Sequence, residues 1–441
     1  MHPSRLDFKS ASDSNMTPEK ALSAGRAVGT SYKKVSVGMD LSRSSKMIRD
    51  AFISGLMSVG SEVLDLGYVP SPAGALASSG MDCYAMIGSP DVHGVVSGIT
   101  LRNADGSEFG EEQMKTIEKY SEAFTPLPGY LSVSSMKRDD SVSVRYIKKL
   151  VSVCGEIDCS VVVDCGCNST SFVAPQILTA AGADVVSINS HPDRSYQPRF
   201  SGIEVSEAKD VQTAVKTIPG SIGILLNGDG TRVALVDEDG EYVSGNNLLA
   251  LLVKYMKPKD IVIPIDVSAS VDRAFWDGEK ETEDRRIVKC EPDPVALCST
   301  MKAEKIEFGA LGNGSIILPG MTLCPDGVMA AAIISKYAGS NSLSDALDDM
   351  EGYITETAKI HFTGGYEALW RNIAESVKEL DYTDVVHVKG WRVDMEHGWF
   401  LISFPDSEGI INIKAEARDK AYAVGLLEIA KEIVNDGIRS Q

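Results

Sequence analysis

Three stretches of the chain repeat the same alternation of apolar and polar positions. Val35-Ser36-Val37-Gly38-Met39-Asp40 is a short β-branched run. Ser44 through Val59 follows with apolar residues at i, i+3 and i+4, and Glu62-Val63-Leu64-Asp65-Leu66-Gly67 is a second run. Period 2, then period 3.6, then period 2 predicts a strand–helix–strand unit and a mainly parallel sheet. Ser160–Asp164, a helix over Ala174–Ala181 capped by Gly182, and Asp184–Ile188 repeat it. Asp260–Ile265, a polar helix and Arg286–Lys289 do so again. Recurrence at roughly 110 residues predicts three similar α/β modules in series.

The last quarter is patterned differently. His387–Lys389, Gly390–Asp394, Trp399–Ser403 and Ile410–Glu416 are closely spaced strand-like runs with turns expected at Gly398 and Gly409, which predicts an antiparallel sheet. An amphipathic helix from about Asp419 to Val434 should cover it. Near the N-terminus, Thr17-Pro18-Glu19 is a helix entry, with Thr as cap and Pro at the first position.

Composition narrows the class. The chain has 441 residues, 43% hydrophobic and 24% charged, the profile of a multi-domain globular protein. A net charge of −19 would repel a phosphate backbone, so nucleic acid is not an expected partner. No apolar run approaches the length of a membrane span, and Met1–Asp7 has no basic stretch leading into an apolar block; the expectation is no membrane association and a cytoplasmic location. Eight scattered cysteines without a C-x-x-C pair fit reduced thiols. Cys165 and Cys167 stand two apart on a strand-like run and should face opposite ways, a poor pair of metal ligands.

Two loops carry candidate chemistry. In Ile224–Gly240 a strand enters an acidic, glycine-rich turn. Asn227, Asp229 and Thr231 alternate there, so their oxygens could converge on one hard cation such as Mg²⁺; the turn residues of a β-hairpin would read the same way. Ser89 follows a strand-like run in Met86–Gly94, where a loop would expose it. A serine nucleophile needs a base or a metal nearby, and His93, four residues on, is the candidate base.

These loops in this order resemble the α-D-phosphohexomutase superfamily, the phosphoglucomutases and phosphomannomutases. The resemblance spans almost the whole chain and rests on Asp40 with Ser44-Ser45, Gly67–Ala73, Asn103–Ser107, Val162–Gly166, Val236–Gly240 and Pro325-Asp326-Gly327. It implies three tandem mixed-sheet α/β domains plus a smaller C-terminal α+β domain of the TATA-box-binding-protein-like type around a central cleft. The expected boundaries are 1–132 (serine loop), 133–240 (metal loop), 241–343 (sugar loop) and 344–441 (phosphate loop). It implies a phosphoserine relay between the 1 and 6 positions of a hexose phosphate, with Mg²⁺ neutralising developing charge. Ser89 would be the phosphoserine and a metal ligand, with Asn227, Asp229 and Thr231 in the metal loop and Arg232 beside them. Asn313, Gly314 and Ser315 would lie in the sugar loop, Gly309–Ser315. Ser403 and Ser407 would lie in the phosphate loop, Ser403–Gly409, with Lys9 the stand-in for an N-terminal arginine.

Each of these loops departs from the family pattern. The family writes its serine loop T-A-S-H-N-P with a lysine following, where this chain has Ser89-Pro90-Asp91 and Thr100. D-G-D-G-D-R of the metal loop becomes Asn227-Gly228-Asp229-Gly230-Thr231-Arg232, so the site's charge falls from −3 to −1 and cation affinity with it. Leu311 replaces the sugar loop's glutamate and Ser315 a histidine common in bacterial members. Ser403 replaces the phosphate loop's arginine, and Asp406 adds a negative charge. Two outcomes stand open: a phosphohexomutase with weakened or lost activity, or a non-catalytic sugar-phosphate-binding or regulatory paralogue. Pairing of the chain with itself as a homodimer also stays open.

Overall fold

In the computed structural model, which describes residues 5–6, 16–88, 98–122, 129–192, 202–276, 284–350, 352–404 and 409–440, four sheets follow one another along an α/β chain. The first has the strand order Arg5–Leu6, Gly98–Asn103, Cys83–Gly88, Lys34–Met39, Glu62–Tyr68, Met136–Arg138. Its last four strands are parallel, and the first two run antiparallel at one edge. The sheet takes its final strand from just past position 132. Helices Pro18–Ser31 and Ser45–Ser58 cross against one another. The crossing is close because Gly25 and Gly55 meet there: a Cβ on either would overlap backbone of the opposite helix.

The second sheet runs Tyr242–Val243, Val233–Val236, Ser221–Leu226, Ser160–Asp164, Asp184–Ile188. The third runs Arg286–Cys290, Asp260–Pro264, Gly309–Ala310, Ile316–Ile317. One apolar core is continuous across these two sheets and reaches into the first, through Tyr84, Tyr146, Val163, Leu226, Leu248, Ile263 and Val328. The buried strands Ser221–Leu226 and Asp260–Pro264 are near-continuous apolar runs, as a sheet covered on both faces requires.

The fourth sheet is wholly antiparallel, in the order Ile354–His361, Ile410–Ala417, Gly398–Ser403, Gly390–Met395, Asp384–His387. Helices Tyr366–Lys378 and Lys420–Arg439 cover one face of it. Three expectations are corrected here. The strand placed at His387–Lys389 lies at Asp384–His387; Val388 and Lys389 form the turn, with Lys389 at φ +45°, because pairing His387 with Trp391 demands a tight left-handed reversal. Gly398 opens a strand rather than forming the turn. The final helix continues to Arg439. Among the described residues no helix is long and apolar enough to cross a membrane.

Candidate functional site

Asn227–Arg232 is the turn of a β-hairpin between Ser221–Leu226 and Val233–Val236. Asn227 N–H donates to the Arg232 carbonyl (3.2 Å) and Gly230 N–H to the Asn227 carbonyl (3.1 Å), with Gly230 alone in the turn at positive φ, +77°. Asp229 is 5% exposed, and both its oxygens are engaged. Oδ1 accepts from Asn227 Nδ2 (3.0 Å), Thr231 N (3.1 Å) and Thr231 Oγ1 (2.7 Å). Oδ2 accepts from Ser71 Oγ (2.7 Å), on the first turn of the helix Ser71–Ala77. Ser71 N–H also donates to the Asp229 carbonyl (2.7 Å). The hairpin of the second sheet is thereby fastened to a helix of the first.

This arrangement does not fit Mg²⁺. The ion needs near-octahedral oxygen ligands, several of them water or phosphate, around a compact negative set. Asn227 Oδ1 accepts from Arg232 N (2.9 Å), which turns the amide so that Nδ2, a donor, faces Asp229 and Thr231 Oγ1 (3.2 Å). Asn227, Asp229 and Thr231 are brought together as expected, but as a closed hydrogen-bonded knot. Among the described residues no group of three or more His, Cys, Asp or Glu side chains is placed to hold a metal ion.

The loop after Ser160–Asp164 braces the knot from below. Ser169 Oγ donates to the Gly228 carbonyl (2.8 Å), while Asn168 Oδ1 accepts from Leu41 N (2.8 Å) and so ties the loop after Lys34–Met39 to the second sheet. Asp40, fully buried, accepts from Ser42 N (2.9 Å), Ser42 Oγ (2.8 Å) and Ser45 Oγ (2.5 Å). Its carboxyl packs against Gly88, where a Cβ would overlap it, and Ser89 comes next in the chain. Ser89 and His93, like Lys9 and Ser407, lie outside the described residues. The expected pairing of Ser89 with Asp229 therefore has no geometry to report.

Gly309–Ser315, the stretch expected to meet the sugar, forms a joint between sheets. Leu311 N–H donates to the Ser315 carbonyl (2.9 Å), closing a tight turn in which Asn313 is exposed and accepts from Ser315 N (3.1 Å). Gly314 stands at φ +87°, its carbonyl accepting from Val233 N (3.1 Å), and a Cβ there would strike the Val233 carbonyl. Ser315 bridges to Arg232, is buried, and backs onto the hairpin. Gly314 and Ser315 thus seat the third sheet on the second, and Asn313 alone of the three is open. Behind them Asp326 caps the helix Gly327–Ala338, accepting at Oδ1 from Met329 N (2.8 Å) and Tyr146 Oη (2.7 Å), while buried Oδ2 accepts nothing. Burial pushes its carboxyl up to about 6, against the opposing pull of the Met329 and Tyr146 hydrogen bonds.

Ser403, half-buried at the end of Gly398–Ser403, lines a cavity of about 650 Å³ between the fourth sheet and the carboxyl ends of the third sheet's strands. The two sheets are pinned beside it. Glu416, buried, accepts at Oε1 from Ala269 N (2.8 Å), Ser268 Oγ (3.1 Å) and Trp399 Nε1 (2.8 Å). Arg392, 1% exposed, donates to the carbonyls of Ile265 (2.9 Å) and Val267 (2.7 Å) and stacks 4.1 Å over Trp399. Sequence reasoning missed Ser71, Asn168, Arg392 and Glu416. Only Ser71 had a signal, as the residue after Pro70 at a helix entry; the others are defined by contacts more than a hundred residues away in sequence.

Comparison with known proteins follows the same outline. The sequence profile described as Phosphoglucomutase/phosphomannomutase, alpha/beta/alpha domain I matches residues 8–126. The chain is 30% identical over 429 residues to the probable phosphoglucosamine mutase of Methanocella arvoryzae, covering 97% of this chain and 96% of that protein. A phosphoglucomutase/phosphomannomutase family protein from Burkholderia thailandensis has a TM-score of 0.84 at 17% identity, covering 98% of this chain and 96% of the other. Aspergillus fumigatus N-acetylphosphoglucosamine mutase, solved with GlcNAc-6P and magnesium, has a TM-score of 0.54 at 12% identity, covering 91% and 82%. The two structural likenesses carry the fold.

Proposed function

The chain belongs to the phosphoglucomutase/phosphomannomutase family of sugar-phosphate mutases, and we propose that it binds a hexosamine phosphate while transferring phosphoryl between positions 1 and 6 weakly or not at all. The sugar class follows the name of the Methanocella relative, matched from end to end. The weakened chemistry is carried by one observation: Asp229 is the sole carboxylate of its turn, and both its oxygens are already satisfied by Asn227, Thr231 and Ser71. Phosphoryl transfer depends on positioned positive charge that neutralises the migrating group. A turn holding one engaged carboxylate and an inward-facing amide offers a divalent ion little. Phe404 and Ser403, leading into the remaining loop, supply no guanidinium where the family pattern has an arginine.

The test pairs binding with turnover. Calorimetry of the full chain with glucosamine 6-phosphate should show saturable binding. Incubation with glucose 1,6-bisphosphate should leave the intact mass unchanged, and phosphorus NMR should show no conversion of glucosamine 1-phosphate above the uncatalysed rate. Absence of binding overturns the reading. A second reading, an active phosphohexomutase, is favoured by the end-to-end similarity to a probable phosphoglucosamine mutase. Under it Ser89 would gain the mass of one phosphoryl group from the bisphosphate, the gain would disappear in Ser89→Ala, and conversion would be lost with it.

A further inference from the structure

We infer that the outer edge of the first sheet, the strand Met136–Arg138, docks an extended acidic segment of another protein, which pairs with it as one further strand. Such docking is independent of whether the chain binds or converts a sugar phosphate.

Met136–Arg138 is last in the strand order, so one side of it is paired, in parallel with Glu62–Tyr68, and the other is the sheet's edge. Hydrogen bonds fix which backbone groups face inward. Val63 N–H donates to the Ser135 carbonyl (3.4 Å) and Asp139 N–H to the Asp65 carbonyl (2.9 Å). Alternation along the strand then turns the N–H and C=O groups of Met136 and Arg138 away from the sheet. All three residues of the strand are exposed. Two outward donors and two outward acceptors are therefore presented at the spacing that an added strand requires.

The side chains around this edge are apolar and basic. Tyr130 is 84% and Leu131 83% exposed, and Val133 and Met136 are exposed with them. Apolar residues scattered singly over a surface mean little, but these four share one short stretch leading into the open strand. Charge is distributed unlike the rest of the chain. Positions 129–153 carry five Lys and Arg against two Asp, in a protein of net charge −19. Both carboxylates are taken, Asp140 by Arg138 (2.6 Å) and Asp139 by Arg145 (2.8 Å). Lys137, Lys148 and Lys149 are exposed, and among the described residues none of them has a carboxylate within ion-pair distance. A segment bearing Asp or Glu is attracted here, whereas the acidic remainder of the surface would repel it. A second copy docked edge to edge would bring the same cations together, which disfavours self-pairing. The outward backbone groups select an extended polypeptide over a lipid surface or a nucleic acid.

The test is fluorescence anisotropy of the full chain with a short labelled peptide that alternates Val and Glu, and with its counterpart alternating Val and Lys. Lys137→Glu reverses the charge at the edge. Met136→Pro removes one outward N–H and leaves the bonds to Glu62–Tyr68 in place. Lys378→Glu, on a helix of the fourth sheet, makes the same change in net charge and is the control. The acidic peptide should bind saturably, and more weakly as salt is added; the basic peptide should not bind. Lys137→Glu and Met136→Pro should each weaken binding by about tenfold or more, the worth of one hydrogen bond or one close charge, and the control should not. Circular dichroism checks the fold. If Met136→Pro is unstable, slowed amide hydrogen exchange at Met136 and Arg138 of the unaltered chain on adding the peptide carries the strand-pairing arm. No binding of the acidic peptide, or binding unchanged in both variants, overturns the docking edge. Binding lost in Lys137→Glu with exchange at Met136 and Arg138 unslowed overturns strand pairing. Anionic lipid vesicles or RNA held more tightly than the peptide, and released by the same variants, overturn the protein partner.

Discussion

Asp229→Ala separates a structural fastener from a metal ligand. The substitution removes the acceptor of four hydrogen bonds, at a site where the native side chain is 5% exposed. Asn227 Nδ2 keeps its bond to Thr231 Oγ1 at 3.2 Å, but Thr231 N, Thr231 Oγ1 and Ser71 Oγ lose their acceptor. A buried donor left unsatisfied costs about 1–3 kcal/mol, so the loss should be about 3–5 kcal/mol. Asp229→Asn keeps Oδ1 for its three donors, and its amide can donate to Ser71 Oγ; about 1–2 kcal/mol is expected. Urea unfolding followed by circular dichroism, with EDTA or with excess MgCl₂, reads both effects. A ligand at a hundredfold excess over its Kd would stabilise the native chain by about 2.7 kcal/mol. No such gain is expected from Mg²⁺. The reasoning fails if Asp229→Ala unfolds within about 0.5 kcal/mol of the unaltered chain, or if Mg²⁺ stabilises the unaltered chain and not the variant.

Three more outcomes follow from named contacts. Asp326 has its carboxyl pushed up to about 6 by burial, so its contribution to stability is fully present below about pH 4 and is lost as pH rises through 6. Asp326→Asn, which keeps the cap on Met329 N, should therefore stabilise the chain by about 2–3 kcal/mol at pH 8, with the gain vanishing at pH 4; equal gains at both pH values would contradict it. Gly314→Ala puts a Cβ into the Val233 carbonyl at φ +87° and should cost at least about 1–3 kcal/mol, read as a lower urea midpoint and faster proteolysis between the second and third sheets. Glu416→Ala strands Ala269 N, Ser268 Oγ and Trp399 Nε1, and should shift Trp399 emission and speed hydrogen exchange over 265–269; an unchanged emission spectrum would refute the docking role.

Strands and helices were legible where one local period ruled. Ser160–Asp164, Ala174–Ala180 and Asp184–Ile188 appear almost as patterned: the central strand Ser160–Asp164 is buried and needs an apolar run, its crossover helix needs one apolar stripe, and the exposed edge strand Asp184–Ile188 shows as a short β-branched run. Ile354–His361 was not read, since an edge strand with Thr355, Thr357 and Lys359 on its open face has little apolar alternation to show. The hairpin at Asn227–Arg232 was legible as a turn, and its chemistry was ambiguous, because Asn, Asp and Gly serve hairpins and cations alike.

By itself the amino-acid order determined the α/β modules, the antiparallel final quarter and the positions at which the loops depart from the family pattern, since each depends on residues close together in the chain. Tertiary structure alone decided what the survivors do. Ser71 reaches Asp229 across 158 positions, Arg392 reaches Val267 across 125, and Glu416 reaches Ala269 across 147. Whether a carboxylate awaits a cation or is already satisfied depends on donors that only the folded chain brings within hydrogen-bond distance, and no local period encodes them.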